Sequence, residues 1–334
     1  MSKIKNLFNN KTSLYLIGLF PLSLLIGTLI SEILIFTLIL FFLLEVIINK
    51  NLEPFKNNFF IFLIIIWFYL IFNLIISTNV DLSFARSISF IRFPLLVITI
   101  NYFVKKNNFE SSIIFKLWAF TIGIIIFDLY FQYIFGYNTL GFESPWKSRL
   151  SGFMQDELKI AHLLIGFTMP IFGFYLFKDR NKFFIFFLIL IYLIILILTN
   201  ERSNVIKGFF IILFFLTFYN KTTIKSKILI ILTGLIVMLS LLSFNKNIHQ
   251  RFWTELKVMN DNIKENTLFN FIRKTNYGPH YIVGLEIFKK NKFFGSGLKT
   301  FRIQCQSVSF NNHPNPKYHS RYGCTTHPHQ LYIE

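Results

Sequence analysis

The residues best suited to chemistry stand near the end of the chain. The stretch CTTHPHQLYIE sets His327 and His329 on either side of Pro328. An imidazole is the side chain that most readily moves a proton near neutral pH. His280, His313 and His319 add further imidazoles. Their spacing matches no zinc pattern, and no H-E-x-x-H occurs, so no metal and no other cofactor is expected. A structural role is the alternative for His329. A second set is cationic: Arg86, Arg92, Arg149, Arg202 and Lys207. A guanidinium is a planar fork of donors that matches phosphate and stays charged when partly desolvated. A lipid-linked phosphate or diphosphate is therefore the natural partner. Anchoring to lipid headgroups is the alternative for each cation taken singly.

These residues are positioned by long apolar blocks. The chain has 334 residues, of which 54% are hydrophobic and 45 are Phe, and a mean hydropathy of +0.54. A hydrocarbon core about 30 Å thick needs roughly 20 helical residues. Nine blocks are candidate spans: 13–31, 33–48, 58–77, 87–104, 112–135, 159–177, 183–199, 203–219 and 227–243. Backbone groups in lipid must pair internally, so the blocks predict helices. Barrel strands would alternate polar and apolar, and these do not. The first block carries Pro21 and lacks a small-x-small cleavage site, so it does not read as a signal peptide. The expected fold is an all-α polytopic membrane protein with about nine transmembrane helices.

Loop charge orients the spans. With the N-terminus in the cytoplasm, the inner segments carry 13 Lys and Arg and the short outer loops 4. That is the positive-inside pattern. Residues 1–243 then form a membrane domain, and 244–334 a large, partly helical periplasmic loop domain. Much of the formal charge of +18 is inner-loop Lys, which removes the nucleic-acid reading that a pI near 9.8 would otherwise invite. Cys305 and Cys324 are the only cysteines and both lie in the outer segment. An oxidising compartment favours a bridge between them. Two free thiols are the alternative.

Charged groups within spans are costly and read as functional by default. Glu45 and Lys116 lie near inner ends and can snorkel. The remainder gathers at the outer ends: Arg86 and Arg92, Asp128 and Gln132, Lys159 and His162, and Glu201, Arg202 and Lys207. This bias predicts a cationic cavity open to the outer leaflet. The 136–158 loop adds Trp146, Lys147 and Arg149. Its aromatic suits a sugar face or, alternatively, an interfacial belt. In the tail, Ile248, Phe252, Leu256 and Met259 fall at helical spacing. A second helix is predicted over about 279–290, with Pro279 in its first turn. Gly295 and Gly297 then allow a tight turn.

Three stretches together resemble the O-antigen ligase and polymerase superfamily of bacterial surface-polysaccharide assembly. They are RLSGFMQDELKIAHLL (149–164), LTNERSNVI (198–206), and IFKKNKFFGSGLKTF followed by THPHQLYIE. The resemblance covers roughly 80–334. It implies a GT-C-like membrane glycosyltransferase of the bacterial inner membrane. Such an enzyme takes a glycan from undecaprenyl diphosphate at the periplasmic face and passes it to lipid A–core or to another glycan. It implies Arg202 as a diphosphate contact and His329 as catalytic base. Arg86, Arg92, Arg149, Lys207 and His280 are further substrate-binding candidates. Gln330 stands where the family has Asn. A second family Arg has no direct counterpart, and His280 or Arg273 lies nearest. The family continues into further helices beyond the position of Glu334, so the chain reads as C-terminally truncated. Protein O-oligosaccharyltransferase shares the signature. A transporter or lipid-glycan flippase would instead show internal repeats and midplane polar residues.

Overall fold

The computed structural model describes residues 10–107, 110–146, 148–155, 159–178, 182–219, 223–254, 257 and 278–307. Among them the chain is helical, without a strand. The helices are α1 (Asn10–Gly18), α2 (Phe20–Ile26), α3 (Thr28–Asn49), α4 (Asn58–Ile75), α5 (Val80–Ser89), α6 (Arg92–Lys106), α7 (Ser112–Phe135), α8 (Ile160–Phe177), α9 (Lys182–Leu198), α10 (Arg202–Phe218), α11 (Ile224–Phe244), α12 (Lys246–His249), α13 (Gly278–Lys290) and α14 (Phe301–Gln304). Side-chain caps start several of them. Asn57 accepts from Phe59 N, Asn79 from Leu82 N, Thr223 from Ser226 N and Asn245 from Ile248 N. Each satisfies a donor that the first helical turn leaves open.

Among the described residues, six stretches are long and apolar enough to cross a membrane: Thr28–Asn49, Asn58–Ile75, Val80–Lys106, Ser112–Phe135, Ile160–Phe177 and Ile224–Phe244. This is the pattern of a polytopic helical membrane protein, but the expected count of nine is not reached. The block expected over 13–31 is divided. α1 and α2 part at Leu19, and Gly27, at φ 150°, ends α2. Their 9 and 7 residues are each too short to span. α9 and α10 have 17 residues each, just below the shortest of the six. Val80–Lys106 is interrupted at Phe90 and Ile91, between α5 and α6. Pro94 has no N–H for the Phe90 carbonyl, and its ring crowds that carbonyl. Trp67 Nε1 donates to Ser87 O at 3.1 Å and Ile88 O at 3.3 Å, carbonyls at the end of α5.

The chain divides into two compact units that interleave in sequence, 1–45 with 102–256 and 46–101 with 257–334. The first packs α7, α8, α9 and α10 around Ile125, Leu129, Leu164, Tyr192, Ile195 and Ile212. Gly208 of α10 faces Leu196 of α9 so closely that a Cβ there would lie 2.3 Å from Leu196 Cδ2. Glu45, given no role from sequence, is buried and paired with Lys106. The Lys106 ammonium also lies 5.8 Å from the Tyr102 ring. Taking one partner of such a pair away leaves an uncompensated charge.

In the second unit the predicted helix over 279–290 is α13. The turn after it, 295–297, docks on the segment between α4 and α5. Thr78 N donates to Ser296 O at 3.0 Å, Ser83 Oγ to Leu298 O at 2.8 Å and Tyr69 OH to Phe294 O at 3.1 Å. Asn73 Nδ2 also donates to Phe294 O. Gly297 has φ +105°, and a Cβ there would lie 2.0 Å from Ser77 Oγ. The Gly-x-Gly pair is thus a backbone dock rather than a ligand cradle.

Candidate functional site

The site in the first unit begins where α7 ends. Gly136, at φ +83°, closes the helix in the left-handed conformation and donates to Gln132 O at 2.9 Å. The loop that follows is held by three buried side chains. Asn138 Oδ1 accepts from Leu140 N at 3.1 Å and Phe142 N at 2.8 Å, and its Nδ2 donates to Gly152 O at 3.0 Å. Asp128 Oδ1 accepts from Thr139 N at 2.8 Å and Thr139 Oγ1 at 2.6 Å. Gln132 Oε1 accepts from Ser151 N at 3.1 Å and Gly152 N at 2.9 Å. Asp128 and Gln132, expected among the groups facing a ligand, therefore fold the loop that carries Trp146 and Arg149. The Arg149 guanidinium lies 5.7 Å from the Trp146 ring.

The second part is the entrance to α10. Asn200 is buried at φ +59°, and its Nδ2 donates to Ser148 O at 2.8 Å and Asn247 O at 3.4 Å. One amide thus ties the loop, the α9–α10 turn and α12 together. Next in sequence is Glu201, half-buried at the N-cap of α10. Burial holds its carboxyl above the ordinary carboxylate value. The Asn204 hydrogen bond and the charges of Arg149, Arg251 and Lys207 pull it down without reversing that. Asn204 Nδ2 also lies 3.2 Å from His162 Nδ1. With that amide donating to both neighbours, the Nδ1 of His162 accepts. Lys207 and Lys159 act on His162 through space.

So the structure brings Arg149, Lys207, Glu201, His162 and Lys159 into one polar cluster. Arg202 is the first residue of α10 and half-buried. Sequence reasoning missed Asn138, Asn200, Asn204 and Arg251. The density of polar residues in TNERSN was a usable signal for two of them. Arg251 lay within a stretch read only for its apolar face. A cleft of about 430 Å³ opens beside the cluster, with Arg149, Glu143, Tyr137 and Asn247 in its wall.

The second unit holds the other candidates. Arg86 is exposed on α5. Arg92 begins α6 with its guanidinium 4.9 Å from the Phe93 ring. His280 is buried in α13. Cys305 packs with Val283, Ile287 and Phe301. His329, Cys324, Lys147 and Arg273 lie outside the described residues. No group of three or more His, Cys, Asp or Glu able to hold a metal ion occurs among the described residues.

Compared with known proteins, residues 184–334 match the family described as O-Antigen ligase, a little under half of the chain. The matched segment runs from within α9 through α14 and includes the TNERSN turn and the terminal histidines. The curated proteins and the solved structures give no match.

Proposed function

We propose, from the premise that residues 184–334 carry an O-antigen ligase domain, that this chain is a membrane glycosyltransferase of surface-polysaccharide assembly. In this reading it is a GT-C-like enzyme of the inner membrane, acting at the periplasmic face. Its donor is a glycan on undecaprenyl diphosphate. Its acceptor is a sugar hydroxyl, on lipid A–core in a ligase or on another glycan in a polymerase. The observation that carries the reading is the convergence of Arg149, Lys207 and Arg251 on the entrance of α10, directly beside Arg202.

The chemistry follows from charge. The sugar–diphosphate bond breaks as the acceptor oxygen attacks the sugar carbon, and the electron pair leaves on the diphosphate. Cations held in place beforehand stabilise that developing charge without reorganising. Arg149, Arg202 and Lys207 are assigned to the diphosphate, and Arg86, Arg92 and His280 are kept as separate substrate-binding candidates. The acceptor hydroxyl must lose its proton, and His329 is assigned as the base that takes it. Glu201 offsets part of the positive charge before the donor arrives. The Cys305–Cys324 bridge is proposed as the tie that holds the segment before the terminal histidines, and no free cysteine is found among the described residues.

The test is transfer in vitro from an undecaprenyl-diphosphate glycan by the full chain. His329→Ala is expected to lower kcat by at least about 100-fold, the scale of general-base catalysis. Arg202→Ala is expected to lower kcat/KM. Unchanged transfer in both variants overturns the assignment. Separate supply of lipid A–core and of repeat-unit acceptors distinguishes ligase from polymerase.

A further inference from the structure

The cleft beside the cationic cluster has a composition that the diphosphate does not need. It is bounded by the 137–149 loop on one side and by Asn245 and Asn247 on the other. Tyr133 and Tyr137 contribute aromatic faces, and both residues are a little under half exposed. With them stand a carboxylate, Glu143, the three amides of Gln132, Asn245 and Asn247, and the Ser144 and Ser148 hydroxyls. Among the described residues of the lining, Arg149 is the cation. Phe135, Leu150, Leu198 and Ile248 also line the wall, so the lining mixes apolar and polar groups. Flat aromatic faces flanked by amides, hydroxyls and a carboxylate suit a pyranose. Its C–H face packs on a ring, and its hydroxyls donate to oxygens and accept from amides. The volume of about 430 Å³ lies within the usual range of about 300–1,000 Å³ for small-molecule sites.

Two features make this a built site. The Asn200 amide holds Ser148 and Asn247, one from each wall, by their carbonyls, which sets the width of the cleft. Asn245 Nδ2 donates to Tyr133 OH at 3.0 Å, which orients that ring. Arg149 belongs both to the cleft and to the cations around Glu201.

We infer that this cleft is a saccharide subsite, holding the sugar of the donor glycan next to the diphosphate, with Arg149 at the junction of the two. The inference rests on the proposed function only for the word donor. The sugar-binding chemistry stands on the cleft itself.

The test is saturation-transfer NMR on the detergent-solubilised full chain, with glucose, galactose, N-acetylglucosamine and N-acetylgalactosamine as probes. At least one sugar is expected to receive saturation on its ring protons. Tyr137→Ala and Glu143→Gln are each expected to weaken its Kd at least tenfold. Tyr137→Phe keeps the ring and is expected to bind as the parent does. Inorganic pyrophosphate is expected to leave the sugar signal in place. Binding of none of the four sugars overturns the inference, as does binding that survives both Tyr137→Ala and Glu143→Gln. Should Tyr137→Ala fail to fold, Glu143→Gln alone decides. A chain that binds sugar here but transfers equally well without His329 and Arg202 would lose the proposed mechanism and keep the subsite.

Discussion

Among the described residues Glu201 is the acidic group at the centre of the cationic cluster, and its titration is a handle on that cluster. Burial raises its carboxyl above the ordinary value of 4.5 despite three nearby cations. The fold therefore disfavours the ionised form. The stability linked to this group is complete below pH 4.5 and is lost as pH rises through the raised value. Glu201→Gln removes the dependence. Thermal melts of both proteins between about pH 4 and pH 8 should show the parent losing Tm relative to the variant as pH rises. A constant gap between the two curves would contradict it. The same ionisation bears on function, because an ionised Glu201 competes with the donor diphosphate for Arg149, Lys207 and Arg251. Donor KM is expected to rise with pH in the parent and to stay flat in Glu201→Gln.

Between elements, the loop from Gly136 to Gln155 depends on side chains of the helix it leaves. Asn138 makes three hydrogen bonds that close the loop on itself and on Gly152. Asn138→Ala leaves those backbone groups unpaired in a buried setting, an expected cost of about 1–3 kcal/mol per group. The readout is a lower Tm together with weaker sugar and donor binding, since Trp146 and Arg149 ride on this loop. In the second unit, the 295–297 turn meets Ser77 with no room for a methyl group. Gly297→Ala adds a Cβ at a positive φ and against Ser77 Oγ. Destabilisation of about 1–3 kcal/mol is expected, read as a Tm loss that the double variant with Ser77→Gly partly restores. Full restoration would mean that packing alone, and not φ, sets the cost.

For the whole molecule, the orientation argued from loop charge makes one sharp prediction. A reporter fused after Ser243 should report the periplasm, and one fused after Lys106 the cytoplasm. The opposite result would move the proposed site to the wrong side of the membrane for a lipid-linked glycan presented outside. The division into two units, each assembled from segments distant in sequence, also means that truncation within either segment should harm the unit it completes. Limited proteolysis of chains cut after residue 256 should release protection within 46–101, which then lacks its partner segment.

What the amino-acid sequence determined by itself was membrane character, helical class and a resemblance to the O-antigen ligase family over part of the chain. Apolar blocks such as 112–135 and 160–177 can meet the demand for internal backbone pairing only as helices, so their position needs no tertiary contact to be read. TNERSNVI was likewise legible, as a polar run at the mouth of a span. The interruptions at Leu19, Gly27 and Phe90–Ile91 were less so, because hydropathy averages over a break of one or two residues. The roles of polar residues were decided only by the tertiary structure. Asp128 and Gln132 look like Arg149 in sequence, each a polar residue on the outer side of the predicted spans. Their partners, Thr139 and the backbone of Ser151 and Gly152, make the first two into loop supports, and Gln132 shares the wall of the cleft with Arg149. Asn200 and Arg251 joined the site for the same reason, since hydrogen bonds and charges act across space between segments that spacing along the chain does not relate.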